Sequence, residues 1–144
     1  MPYSFGNRND LETAIEAWIT NETGARITYG DINTWDVSNI NDFSWLFANK
    51  TNFNSNISNW DVSSGQSFDL MFYGASSFNQ DIGNWDVSNG TTFYSMLEET
   101  SFDQDISSWD VGKGTRFGRM FYGLDSFNQD ISNWNVSNGW DFES

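Results

Sequence analysis

The sequence predicts an α/β solenoid, with a parallel β-sheet on one face, short helical turns on the other, and a helix capping the N-terminal end. Three observations carry that expectation. The first is a tryptophan period: Trp35-Asp-Val-Ser-Asn, Trp60-Asp-Val-Ser-Ser, Trp85-Asp-Val-Ser-Asn, Trp109-Asp-Val-Gly-Lys and Trp134-Asn-Val-Ser-Asn follow one another at 25, 25, 24 and 25 residues. A fixed period of this length marks stacked units, none of which can bury its apolar face alone. The second is a set of apolar columns in step with tryptophan: Phe43, Phe68, Phe93, Phe117 and Phe142, then Leu46, Met71, Met96 and Met120, and Ile57, Ile82, Ile106 and Ile131. The third is a change of periodicity before the array, where Leu11, Ala14, Ile15 and Trp18 fall at i, i+3, i+4 and i+7.

Taken in order, residues 1–30 are expected to form a capping helix and its lead-in, and residues 31–144 about four and a half tandem repeats, all in one structural domain. Asn9 is placed to cap the first helical turn, with Glu12 three residues later completing a capping box. The helix would cover the first strand, around Ile32 to Val37, and shield its core from water. Within a repeat, Ile82-x-x-Trp85-x-Val87 has the L-x-x-L-x-L spacing of leucine-rich repeats, whose alternating side chains point from a short strand into the core. Phe68, Met71 and Phe72, like Phe117, Met120 and Phe121, have the i, i+3, i+4 spacing of a short helical wall. Trp shares its register with Ile and Val, so the Trp column reads as core rather than as an exposed ligand platform. One residue is missing between Met96 and Phe102, which marks a loop there. The array runs out near Phe142, so either the chain is cut from a longer array or its open end is covered by another copy through end-to-end self-association.

Composition narrows the functional classes. Six Lys and Arg stand against 20 Asp and Glu, for a net charge of −14, and such a field repels nucleic acid and anionic lipid. The chain has no Cys and no His, which removes disulfides, thiolate sites and the commonest general base and metal ligand. No run is apolar enough to insert in a membrane, and Met1 to Asn9 lacks the regions of a signal peptide.

The twelve residues Phe-Asn-Gln-Asp-Ile-x-x-Trp-Asp-Val-Ser-Asn at 78–89, nearly repeated at 127–138, resemble the BspA-like leucine-rich-repeat surface proteins. Tyr29-Gly-Asp-Ile-Asn-Thr-Trp35 and the helix before it are similar to the segment that precedes such arrays. The resemblance implies a secreted or cell-surface repeat protein, often a lipoprotein or adhesin-like, used for attachment. The chain departs from that pattern where Gly65 and Phe68, Gly90 and Phe93, and Gly114 and Phe117 replace the usual Val and Met; Ile40 alone keeps a branched residue.

Several constellations could carry chemistry. Asp36, Asp61, Asp86 and Asp110, ending in Asn135, form a column flanked by inward Trp and Val. Neighbours in stacked strands lie about 4.8 Å apart, so the column calls for solvation, protonation or a cation, and calcium is the oxygen-seeking candidate. Asp31, Asn56, Asp81, Asp105 and Asp130 would add oxygens. The alternative is that these side chains close Asx turns. Thr34, Asn59, Asn84, Ser108 and Asn133 make an exposed polar strip suited to a protein or glycan on another surface. Asn54, Asn79, Asp103 and Asn128 suggest an internal hydrogen-bonding ladder, and Lys113, Arg116 and Arg119 a positive patch on one repeat. Glu98 and Glu99 sit in the irregular repeat, where a glycosidase-like pair is conceivable, but no Ser/His set, Cys/His set or phosphate-binding Gly loop accompanies them. The expected function is a non-catalytic binding or adhesion module. The alternatives are a calcium-stabilised or self-assembling segment of a larger surface protein and a glycan-active enzyme.

Overall fold

The computed structural model describes residues 1–143. Helix α1 spans Arg8–Thr20 and buries Leu11, Ala14, Ile15 and Trp18, the face its spacing predicts. It starts earlier than expected. Asn7, not Asn9, is the cap: its extended backbone lets Oδ1 accept from the Asp10 N–H at 2.9 Å. Glu12 consequently lies inside the helix and pairs with Arg8, four residues back, at 2.8 Å instead of closing a capping box. A second helix, α2 (Glu22–Tyr29), follows at once because Asn21 ends α1 and caps α2, accepting from the Gly24 N–H at 3.1 Å. A single 3₁₀ turn, Ile32–Thr34, stands where the first strand was expected.

Beyond that turn the described residues form no further helix and no strand. The expected leucine-rich-repeat-like α/β solenoid, with its parallel sheet and helical wall, is therefore not what this chain builds. Repeats are joined by isolated parallel bridges, Asp42 to Ser67, Ser67 to Thr92, Thr92 to Arg116 and Arg116 to Asp141. The physical reason is visible in both halves of a repeat.

In the predicted strand the backbone satisfies itself locally. The Trp85 N–H donates to the Ile82 carbonyl at 3.1 Å and Gly90 N–H to Val87 at 2.8 Å. Asp81 and Asp86 take the N–H groups two residues ahead, at 2.9 and 3.0 Å. These turns consume the groups that a sheet ladder would need. Neighbouring repeats are linked here through the indoles instead: Trp60, Trp85, Trp109 and Trp134 each donate Nε1–H to the isoleucine carbonyl of the previous repeat, Ile32, Ile57, Ile82 and Ile106, at 2.8, 3.1, 3.0 and 3.0 Å.

In the predicted helical wall, left-handed residues interrupt the coil. Trp45, Leu70, Ser95 and Arg119 have φ of 65°, 53°, 51° and 55°, and Asn49, Gly74, Glu99 and Gly123, four positions on, have 60°, 67°, 57° and 72°. An α-helix of L-residues does not tolerate that alternation. Alternate N–H groups are turned toward the next repeat, so that Phe68, Leu70, Phe72 and Gly74 donate to Thr92, Tyr94, Met96 and Glu98 at 2.8–3.0 Å. The backbone ladder thus runs along the face read as helical.

The aromatic columns supply the core. Phe43, Phe68, Phe93, Phe117 and Phe142 stack with centroids 5.5–5.6 Å apart and planes within 8°. Trp35, Trp60, Trp85 and Trp109 are buried, as the core reading of that column expects. The Gly and Phe substitutions are coupled, because a Cβ on Gly90 would stand 2.5 Å from its own repeat's Phe93 ring and 2.9 Å from the Val87 carbonyl. Phenylalanine fills the room that a branched residue would take. At the N-terminal end Phe5, Trp18 and Tyr29 pack on Trp35 at 5.2, 5.8 and 5.7 Å. Ser4 bridges to Asp36, so residues before α1 also cover the first repeat.

Candidate functional site

Thr34, Asn59, Asn84, Ser108 and Asn133 are all exposed, each immediately before a tryptophan. Their register follows from the indole bonds, which hold the residue before each Trp at the same height in every repeat. Two of the five are internally engaged: the Thr34 hydroxyl donates to the Asp31 carbonyl at 2.7 Å and the Ser108 hydroxyl to Gly83 at 3.0 Å. The side-chain amides of Asn59, Asn84 and Asn133 make no hydrogen bond among the described residues.

The acidic column closes turns. Asp36, Asp61, Asp86 and Asp110 each accept, through Oδ1, the N–H two residues ahead at 2.9–3.1 Å, and Asn135 does the same for Ser137 at 3.1 Å. Asp31, Asn56, Asp81, Asp105 and Asp130 repeat the motif at 2.9 Å. Hydrogen bonds from the Ser38 hydroxyl and amide, and from Ser4, hold the Asp36 carboxyl below its ordinary range; the Ser88 hydroxyl and amide do so for Asp86. Among the described residues no three acidic side chains gather closely enough to hold a metal ion. The inner ladder forms as expected, with Asn54, Asn79 and Asp103 accepting from the N–H of Asn79, Asp103 and Asn128 at 2.9, 2.8 and 3.0 Å. Gln80, Gln104 and Gln129 reinforce it from their amide nitrogens.

The two arginines of the positive patch are paired internally with acidic side chains. Arg116 lies 3.4 Å from both Asp69 and Asp141 and 4.8 Å over the Tyr94 ring. Arg119 pairs with Glu98, and Lys113 reaches Asn89 Oδ1 at 2.7 Å. Glu98 and Glu99 occupy opposite surroundings. Burial pushes the Glu98 carboxyl up, but hydrogen bonds from Arg119 and Ser95 and the nearby guanidinium outweigh it, leaving the group lowered. Glu99 is exposed and left-handed.

Two clefts were not foreseen. One, of about 570 Å³, lies on the face of the last repeat between Phe117, Met120, Ile131, Trp134 and Phe142. The other, of about 270 Å³, lies between the end of α1 and the loop at residues 49–55. The departure of Ser55 from the Gln80, Gln104 and Gln129 column is the sequence signal for the second.

A family profile described as "Mycoplasma protein of unknown function, DUF285" matches residues 16–134 and, overlapping, 98–144. This chain belongs to that family. The two overlapping matches to the DUF285 profile place the chain in a repeat-containing Mycoplasma family. No curated protein and no solved structure matches the DUF285 chain. Among its described residues no helix is long and apolar enough to cross a membrane.

Proposed function

We propose that this DUF285 chain is a non-catalytic recognition module, engaging a protein or glycan of another surface through the strip of Thr34, Asn59, Asn84, Ser108 and Asn133. The observation that carries the reading is the set of unengaged amides of Asn59, Asn84 and Asn133, presented at one height per repeat by the Trp–Ile bonds. Amides both donate and accept, so a row of them matches a ligand with repeating hydroxyls or peptide groups. Individually weak contacts become useful when they repeat along one rigid face. The BspA-like character of the twelve-residue motif supports placing the module at a cell surface or in secretion.

The test is retention of the full chain on immobilised glycans and extracellular-matrix proteins. The triple variant Asn59→Ala, Asn84→Ala, Asn133→Ala should lose retention while keeping its melting temperature, since all three side chains are exposed. Undiminished retention of that variant rejects the strip. Release of cleaved glycan by the wild type rejects the non-catalytic reading.

A further inference from the structure

The ladder that links the repeats has a beginning, and its first rung lacks a predecessor. From the second repeat on, one outer-loop donor is satisfied by the side chain of the repeat before it: the Asn79 N–H donates to Asn54 Oδ1 at 2.9 Å, the Asp103 N–H to Asn79 Oδ1 at 2.8 Å and the Asn128 N–H to Asp103 Oδ1 at 3.0 Å. The equivalent donor of the first repeat, the N–H of Asn54, has no acceptor among the described residues. The C-terminal part of α1 and the start of α2 stand opposite it without filling the space. The column of Gln80, Gln104 and Gln129 begins with Ser55, whose short side chain accepts from Trp18 Nε1–H at 3.0 Å and leaves the gap open.

We propose that this cleft binds a single neutral sugar residue. Trp18, Ile19 and Phe53 provide an apolar floor, and Thr51, Asn52 and Ser55 provide a polar rim. That combination suits a pyranose, which has an apolar ring face and hydroxyls that donate and accept at once. A volume of about 270 Å³ accommodates a sugar ring but not an extended peptide. Charge argues for a neutral ligand. Lys50 lines the cleft but is paired with Glu16, Glu22 stands on the opposite wall, and the chain as a whole carries −14. The site is separate from the Asn59, Asn84 and Asn133 strip and does not depend on it.

The experiment is a titration of the ¹⁵N-labelled full chain with the methyl glycosides of glucose, galactose, mannose and N-acetylglucosamine. At least one should shift the amide signals of Asn52 and Asn54 and the Trp18 indole signal. Ser55→Gln supplies the side chain that later repeats use and should weaken binding by about tenfold or more, with some loss of melting temperature because the Trp18 Nε1–H gives up its acceptor. Thr51→Ala, at an exposed position, should also weaken it. Absence of shifts with all four glycosides overturns the proposal, as does wild-type affinity in both variants. Shifts abolished by the strip triple variant, but not by Ser55→Gln, would also overturn it while leaving the strip reading intact.

Discussion

Replacing Trp85 tests how the repeats are held together, because its indole packs and hydrogen-bonds at once. Its side chain is 3% exposed, it stacks on Phe72 at 6.3 Å, and its Nε1–H satisfies the buried Ile57 carbonyl at 3.1 Å. Trp85→Ala removes both contributions and leaves a cavity, at a cost of about 3–5 kcal/mol. Trp85→Phe keeps an aromatic ring in the column but removes one of the two hydrogen bonds to that carbonyl, which still accepts from the Trp60 N–H at 3.1 Å, at a cost of about 0.5–1.5 kcal/mol. For a chain of 144 residues, each kcal/mol lowers Tm by about 2–4 °C. Trp85→Ala should therefore melt roughly 6–20 °C below wild type and Trp85→Phe roughly 1–6 °C below. Scanning calorimetry, with near-ultraviolet circular dichroism to follow the aromatic packing, measures both. Wild-type melting of Trp85→Ala would refute the assignment of this column to the core. Equal losses in the two variants would refute the division between packing and hydrogen bonding.

Other expectations follow from the same geometry. Gly90→Ala forces a Cβ to 2.5 Å from the Phe93 ring and should cost about 1–3 kcal/mol; chemical denaturation would show it. Glu99→Gly relieves a left-handed residue in the column of Gly74 and Gly123 and should raise stability by up to about 1 kcal/mol, a gain that a lowered denaturation midpoint would contradict. Asp31, Asp36, Asp86, Asp103, Asp105, Asp130 and Glu98 all have lowered folded-state pKa values. They release protons more readily folded than unfolded, so their contribution is present above the ordinary carboxylate range. It should be lost progressively as pH falls from about 5 toward 2, which a series of melting curves would follow. Because the Asp36 to Asp110 column is spent on local turns, calcium and chelator should give the same Tm. A calcium-dependent rise would restore the cation reading.

The α1 face was legible because Leu11, Ala14, Ile15 and Trp18 obey a helical period regardless of what they pack against. Its cap was misplaced by two residues, since Asn7 and Asn9 are chemically equivalent and only the backbone at Asn7 is extended. Helix α2 was missed because it buries a single residue, Ala25, and so leaves little periodic trace. The exposed strip was readable from its place beside the Trp column. The 270 Å³ cleft left only Ser55 in the glutamine column as a trace, because its shape arises where α1 and the first repeat's loop, distant in sequence, fail to fill one space.

By itself the sequence determined the 25-residue register and the identity of the core columns, because these depend on residue type recurring at a fixed interval. Only the tertiary structure decided which backbone groups cross between repeats. The spacing of Phe68, Met71 and Phe72 suits a helix, but left-handed residues such as Leu70 turn alternate N–H groups toward the next repeat. The spacing of Ile82, Trp85 and Val87 suits a strand, but local turns leave the indole to make the crossing. Side-chain periodicity records which residues are buried together; where each N–H finds its acceptor depends on the repeat stacked beside it.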